Sequence, residues 1–551
     1  MTQPPPPPHQ PPQQPGYGYP QAPQAPQQPN PYAQPAPPYG QPPNPYGPQA
    51  GYGYPQPPAP PYPQPGQHGQ PGGGRKGGSQ ALIIVAAVVA VALLVAGGVW
   101  YASSGKDDGR NSDEASSSGG GTGGTGGDTA DGAEKVPAHT ASQLLFKVPV
   151  PQVDDTTVVA GSWLTDKAYV KSGVAEIDGY DRDNGGKLWT IKLPGPVCTV
   201  STHTTDDDRT AVVFQPRMPP KGRSEGCSQV AAIDLDAGKK LWTKSFGSGG
   251  RAMTFENVTV SANTVAAGGD YGGVAFDLSS GRRLWAPKPK DTCIDAGYGG
   301  GEKLVAVLKC GSFTEPQLHI QTIDPQSGKT LSEYKLATGI EYAAVVSTNP
   351  LVVAADVGHS AGDGSEISDF FSVDNKTGRL ITRISAPGKE YAAKCDAISE
   401  LEHCTGVAVG NGRLYLPTEE HDGTKGYSRT NEIVAFDLTT GKQNGQRADA
   451  GDGYTITPLR MDGGNVIAYK HPPYNKGGQV VSIDGGSFKE TKLLENPAAG
   501  SVRDLEGTLS PDYSEILYSQ GRLYLAGRFA DKLSSSVSGE KVLALALGAG
   551  G

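Results

Sequence analysis

Aspartates at a fixed distance from a glycine are the first pattern in this chain that could do chemistry. Asp181, Asp234, Asp277, Asp324, Asp374 and Asp437 each stand four residues before Gly185, Gly238, Gly281, Gly328, Gly378 and Gly441. Repeated carboxylates can ligate a divalent cation, as in calcium loops. They can equally cap the backbone N–H groups of a tight turn, with glycine supplying the left-handed conformation. Three copies add a tryptophan four residues further on, Trp189, Trp242 and Trp285, in "YDRDNGGKLW", "IDLDAGKKLW" and "FDLSSGRRLW". An indole can stack on a flat cofactor or pack one element on the next. Recurrence decides between these uses. A cofactor or cation needs one site, whereas a turn needs the same residues in every copy. The pattern therefore predicts turns and packing, with no catalytic, cofactor-binding or metal-binding role for these residues.

Other candidates for chemistry are weaker. The six cysteines are Cys198, Cys227, Cys293, Cys310, Cys395 and Cys404. An even number confined to one part of the chain reads as disulfides made in an oxidising compartment. Many connectivities are open; sequence order suggests 198–227, 293–310 and 395–404. No pair has CxxC spacing and no histidine stands at zinc-like spacing beside one, which argues against a metal. "DPQSGKT" at 324–330 ends like a phosphate loop, but Ile323 stands where its first glycine belongs. "DRDNGG" at 181–186 lacks the spacing and terminal Glu of a calcium loop. His203, His319, His359, His403 and His421 are scattered and read as exposed loop side chains. Asn257 and Asn375 lie in N-x-T sequons, read as turn composition.

The elements that must position these residues are strands. Beyond residue 140, short runs such as "TAVVFQP" and "RLYLPTEE" alternate with Gly, Asp and Asn clusters, and no long helical period occurs. A seventh, worn copy of the phrase surrounds Asp484, with Phe488 in place of the glycine. Intervals between the aspartates are 53, 43, 47, 50, 63 and 47 residues. A period of roughly 50 residues fits propeller blades of four strands each. The ends of the region complement each other. "KVLALALGAGG" resembles the first half of the phrase, and "QLLFKVPVP", Gln143 to Pro151, resembles its missing second half. The prediction is an all-β, eight-bladed propeller whose last blade is closed by the N-terminal strand, which removes open sheet edges.

Four regions follow from composition. Residues 1–79 are rich in Pro, Gln, Gly and Tyr and hold no acidic residue. Such a segment cannot bury enough apolar surface to order itself and is expected to be a disordered cytoplasmic tail. Residues 80–102 include the uncharged run Ala81 to Ala102, long enough to cross a hydrocarbon core of about 30 Å. Trp100 and Tyr101 at its far end suit a membrane interface, and Arg75 and Lys76 before it place the N-terminus inside. Residues 103–139 form a Gly/Ser/Asp linker, and 140–551 the propeller domain, on the extracytoplasmic side. The lipid bilayer is thus an expected partner through 81–102. The net charge of −9 argues against nucleic acid. A monomer is expected.

"AIDLDAGKKLW" and "AFDLSSGRRLW" resemble the repeats of PQQ-like, quinoprotein alcohol dehydrogenase-like propellers, where the Trp ties adjacent blades together. The tail, span and propeller layout is similar to membrane-anchored actinobacterial members. The resemblance implies an eight-bladed propeller and raises the prospect of a pyrroloquinoline quinone dehydrogenase with Ca²⁺. Against that, the chain has no adjacent Cys-Cys pair and no CxxCH haem site, and the family's catalytic Asp and calcium ligands map onto no matching segment. The expected function is a non-enzymatic binding or scaffold module that holds an envelope protein, peptide or glycan, with no cofactor. A quinoprotein dehydrogenase is the first alternative and a transmembrane ligand sensor the second.

Overall fold

The computed structural model describes residues 133–549 apart from 249–250, 289–290, 313–314, 362–366, 397–399, 425–427 and 533–539. The expected tail (1–79), the membrane span (80–102) and residues 103–132 of the expected linker (103–139) lie outside the described residues. Among the described residues, no helix is long and apolar enough to cross a membrane.

Strands rich in Val, Ile, Ala and Leu pair antiparallel into eight four-stranded sheets. Blades 1 to 7 occupy residues 162–192, 197–244, 257–285, 293–335, 344–385, 408–449 and 455–495. Blade 8 uses three strands between residues 514 and 549 and takes its outermost strand, Ser142–Pro149, from the start of the domain. In register, Leu144 faces Leu547 and Phe146 faces Ala546. The inner strand of blade 1, Ser162–Leu164, packs against that of blade 8, Ser514–Ser519, so the ring is closed.

Burial follows from stacking blades face to face. Inner and middle strands have a neighbour on both faces, so Thr264–Gly268 and Leu351–Ala355 are buried along their whole length. Such strands read as continuous apolar runs. Outer strands such as Lys187–Lys192 are mostly exposed and carry the charges. Among the described residues, one α-helix, Ser501–Gly507, lies in the connection between blades 7 and 8. Its buried Glu506 accepts hydrogen bonds from the Tyr469 hydroxyl at 2.8 Å, Asn496 Nδ2 at 2.6 Å and the Gly478 N–H at 3.1 Å.

The six recurring aspartates sit at the turn between the third and fourth strands of blades 1 to 6. Oδ1 of Asp277 accepts the Ser280 N–H at 2.8 Å, and Asp324, Asp374 and Asp437 do the same for Ser327, Thr377 and Thr440. The six glycines have φ between +61° and +70°. That is the left-handed region, where a side chain is strained. Each glycine also makes room for the preceding blade. A Cβ at Gly238 would fall 2.2 Å from Trp189 Cγ, one at Gly281 2.9 Å from Trp242 Cγ, and one at Gly328 2.8 Å from Trp285 Cδ2. Later blades replace the indole: Ser332 Oγ donates to Asn375 O at 2.6 Å, and Thr382 lies beneath Gly441. In blade 7, Phe488 itself takes the left-handed position (φ +59°), and its N–H donates to Asp484 O at 2.8 Å.

Candidate functional site

Between the outer strand of blade 5, Leu380–Ser385, and the inner strand of blade 6, Ala408–Gly410, the chain makes a long excursion. Within it Lys394–Cys395 pairs with Cys404–Thr405, and the Cys395–Cys404 disulfide staples the pair (S–S 2.02 Å). Beyond the staple the tip reaches four blades. Leu401 O accepts the Val345 N–H of blade 5 at 2.7 Å. The Leu401 side chain lies against Gly297 of blade 4, where a Cβ would come within 2.9 Å of it. Glu402 Oε1 accepts the Gly300 N–H of blade 4 at 2.5 Å and lies 2.9 Å from His203 Nε2 of blade 2. Arg528 of blade 8 donates to Glu400 Oε2 at 2.6 Å and approaches the His403 ring at 2.6 Å. Blades 2, 4, 5 and 8 surround the ring axis. Residues 400–403 touch all four, so they lie across the channel and plug it.

Burial sets the protonation of this plug. It pushes the Glu400 carboxyl up against the opposing pull of Arg528. Burial, and then the Arg528 charge, holds His403 well below the usual imidazole range. A neutral imidazole can accept the Arg528 N–H, which an imidazolium cannot. Beside it, Lys171 donates from Nζ to Glu515 Oε2 at 2.8 Å and to Val159 O at 2.5 Å. Glu515 also accepts the Gly161 N–H at 2.6 Å and the Ser162 hydroxyl at 2.7 Å. Burial lowers the Lys171 ammonium, and Glu515 opposes it. Displaced titrations of this kind often mark reactive sites. Here each charged group is committed to a partner: Arg528 ties Glu400 and His403 of the plug to blade 8, and the Lys171–Glu515 pair ties blade 1 to blade 8.

A cavity of about 40 Å³ remains between Ser162, Thr199, Asn257, Glu402, Glu515 and Arg528. That suits one or two waters and falls far below the roughly 300–1,000 Å³ of a small-molecule site. The quinone that the repeat resemblance implies is a flat, fused-ring tricarboxylate, and the residues present do not fit it. Glu402 and His403 bridge blades 2, 4 and 8 across the middle of the ring, and the cavity beside them is too small for it. Three carboxylates that could take a calcium ion are held by Arg528 (Glu400), by His203 and the Gly300 N–H (Glu402), and by Lys171 (Glu515).

None of the repeated Asp, Gly and Trp residues lies in this region. Their turns sit away from the plug, and Trp189, Trp242 and Trp285 meet glycines of the next blade. The three disulfides are Cys198–Cys227, Cys293–Cys310 and Cys395–Cys404. Two histidines expected on exposed loops are buried instead: His319 is 9% exposed within a strand and His403 6% exposed in the plug. Polar partners, Glu333 and Arg528, meet their ring nitrogens and permit that burial. Both sequons are spent internally. Asn257 Oδ1 accepts the Tyr298 N–H at 2.8 Å, and Asn375 Nδ2 donates to Thr348 O at 3.0 Å. The plug was missed in the sequence, yet a trace was there: the 63-residue interval between Asp374 and Asp437 is the longest of the six and contains a cysteine pair.

Residues 173–391 match the PQQ_2 family, described as outer membrane protein assembly factor BamB. Tetrathionate hydrolase of Acidithiobacillus ferrooxidans is 25% identical over 182 residues, which make up 30% of this chain and 34% of that protein. The match thus spans about a third of the curated relative. Among solved structures, BamB from Moraxella catarrhalis aligns at 10% identity with a TM-score of 0.34, over 72% of this chain and 99% of that one. Quinohemoprotein alcohol dehydrogenase from Comamonas testosteroni aligns at 13% identity with a TM-score of 0.41, over 74% and 76%.

Proposed function

We propose that this chain, an eight-bladed propeller of PQQ-like repeats, is a non-enzymatic binding scaffold of the cell envelope. The observation that carries this reading is the plug. With residues 400–403 across the axis, the place where a propeller would bury a small substrate or cofactor is filled by the chain itself. What remains for recognition is the outer surface: a rigid ring whose loops can differ freely without disturbing the blades. The partner class is accordingly a protein, peptide or glycan large enough to contact several loops. Three disulfides support an extracytoplasmic position, and the apolar run 81–102 supports a membrane tether. No observation favours the dehydrogenase reading over this one.

The test is crosslinking of the full chain on intact cells, with identification of what stays attached to the propeller. The scaffold reading expects one or a few envelope macromolecules recovered in stoichiometric amount. Recovery of none, with dye-linked alcohol or sugar oxidation once quinone and Ca²⁺ are added, would overturn it.

A further inference from the structure

Blade 4 carries a second cluster, remote from the plug in role. Cys293 and Cys310 stand directly opposite each other on its first two strands, Cys293–Gly299 and Leu304–Ser312. They are bonded, with a Cα–Cα distance of 4.1 Å. The third strand, Glu315–Ile323, sets His319 opposite Leu308 and Gln317 opposite Cys310. Side chains alternate along a strand, so His319 shares a sheet face with Cys310. Ligand atoms of Cys293, Cys310 and His319 all lie within 4.8 Å of one another.

The histidine is already oriented. Its Nδ1 lies 3.0 Å from Glu333 Oε1, and that same oxygen accepts Gln321 Nε2 at 2.7 Å. A carboxylate on one ring nitrogen is the outer support that metal-binding histidines commonly have, and it leaves Nε2 as the acceptor. Cys310 and His319 are buried, and Cys293 is half-buried, which leaves the bond approachable from one side.

We propose that two-electron reduction of Cys293–Cys310 by a dithiol turns this corner of blade 4 into a site for a thiophilic divalent cation such as zinc. The dithiol gives up two electrons and two protons and becomes a disulfide, while the S–S bond opens to two thiols. On binding, each thiol releases its proton to solvent. Both thiolates and His319 Nε2 ligate the cation, and water takes the fourth position. A tetrahedral zinc with ligands at about 2.0–2.3 Å spaces its ligand atoms roughly 3.3–3.8 Å apart. Rotation about the two Cα–Cβ bonds brings the freed sulfurs to that spacing. The oxidised chain has its sulfurs bonded to each other, so loading is conditional on reduction.

The test uses the full chain, reduced with a phosphine that does not compete for zinc, then alkylated with and without zinc. Peptide mass spectrometry follows each cysteine. Zinc should slow alkylation of Cys293 and Cys310 at least tenfold, and His319→Gln should remove that protection while leaving the other four cysteines unchanged. If His319→Gln does not fold, Glu333→Gln reads the same site, with zinc affinity lowered by about 10- to 100-fold. Alkylation of Cys293 and Cys310 that is indifferent to zinc, or protection unchanged in the variant tested, would overturn the proposal.

Discussion

The ring of Phe146 lies on the bare α-carbon of Gly185: a Cβ there would fall 2.4 Å from Phe146 Cγ. Phe146 belongs to the strand that completes blade 8, and Gly185 to the turn of blade 1. The contact repeats, across the seam of the ring, what Trp189 does on Gly238 and Trp242 on Gly281. Phe146 is therefore the eighth blade's tryptophan equivalent. It also packs against Tyr169 and Tyr180 of blade 1 and Tyr524 of blade 8 itself, so the closing strand is held by aromatic contacts across the seam as well as by its ladder.

A double-mutant cycle at this seam should show strong coupling. Phe146→Ala removes a buried aromatic side chain and is expected to cost about 3–5 kcal/mol. Gly185→Ala should cost a similar amount, because the methyl group collides with the ring and the residue sits at φ +70°. In the double mutant the collision is gone, and Gly185→Ala should add only about 1 kcal/mol of left-handed strain. Chemical denaturation of the four proteins reads this directly; additive costs would refute the contact.

At residue 488 two effects oppose each other. Phe488 is strained at φ +59° but only 6% exposed, with its ring 6.1 Å from that of Tyr415. Phe488→Ala loses the packing and keeps the strain, so it should destabilise by about 3–5 kcal/mol. Phe488→Gly loses the same packing and relieves the strain, and should be the milder variant by about 1 kcal/mol. Thermal unfolding that ranks them the other way would show the turn is not under strain.

Arg528→Ala should be among the most damaging changes in the plug. It leaves Glu400 buried without its guanidinium, a loss of about 3–5 kcal/mol for a broken buried pair. Adding Glu400→Gln removes the stranded charge and should recover part of that loss. Hydrogen exchange should show faster exchange at the Val345 N–H in the single variant, since its acceptor is Leu401 O in the plug. Wild-type exchange there would mean that Arg528 does not hold the plug.

Asp208 should set a pH dependence. Burial, then the charges of Asp236 and Asp166, push its carboxyl up to about 7, against an ordinary 3.8. A folded value above the unfolded one means stability is fully present below about 3.8 and is lost as pH rises from there through about 7. Asp208→Asn removes the titration, and asparagine tolerates the native φ of +56°. At pH 8 the variant should be more stable by about 1–2 kcal/mol, a figure reduced from the full shift because solvent screens a partly buried group. Denaturation midpoints that fall in parallel for both proteins between pH 4 and 7 would count against this assignment.

The parts of this molecule that were legible in the sequence are the parts spelled locally and repeatedly. Asp277, Gly281 and Trp285 lie within one phrase, and recurrence of that phrase gave the period; the half-phrases at the two ends gave ring closure. Phe488 looked like erosion. Its turn persists because packing on Tyr415 offsets left-handed strain, a balance invisible in the string. The plug was less legible still. Glu400, Glu402 and His403 acquire partners at Arg528, Gly300 and His203, far away in sequence and brought close only by closing the ring. No local pattern encodes a crossing of the axis. Only the overlong interval and its cysteine pair left a mark.

Whether the chain closes its own channel and works by surface binding is read by titrating the full chain with pyrroloquinoline quinone and Ca²⁺ and following the bound-quinone spectrum. The predicted result is no saturable quinone binding to wild-type protein, because Glu402 and His403 bridge the blades across the middle of the ring. A stoichiometric quinone complex that oxidises an alcohol or sugar would contradict the claim.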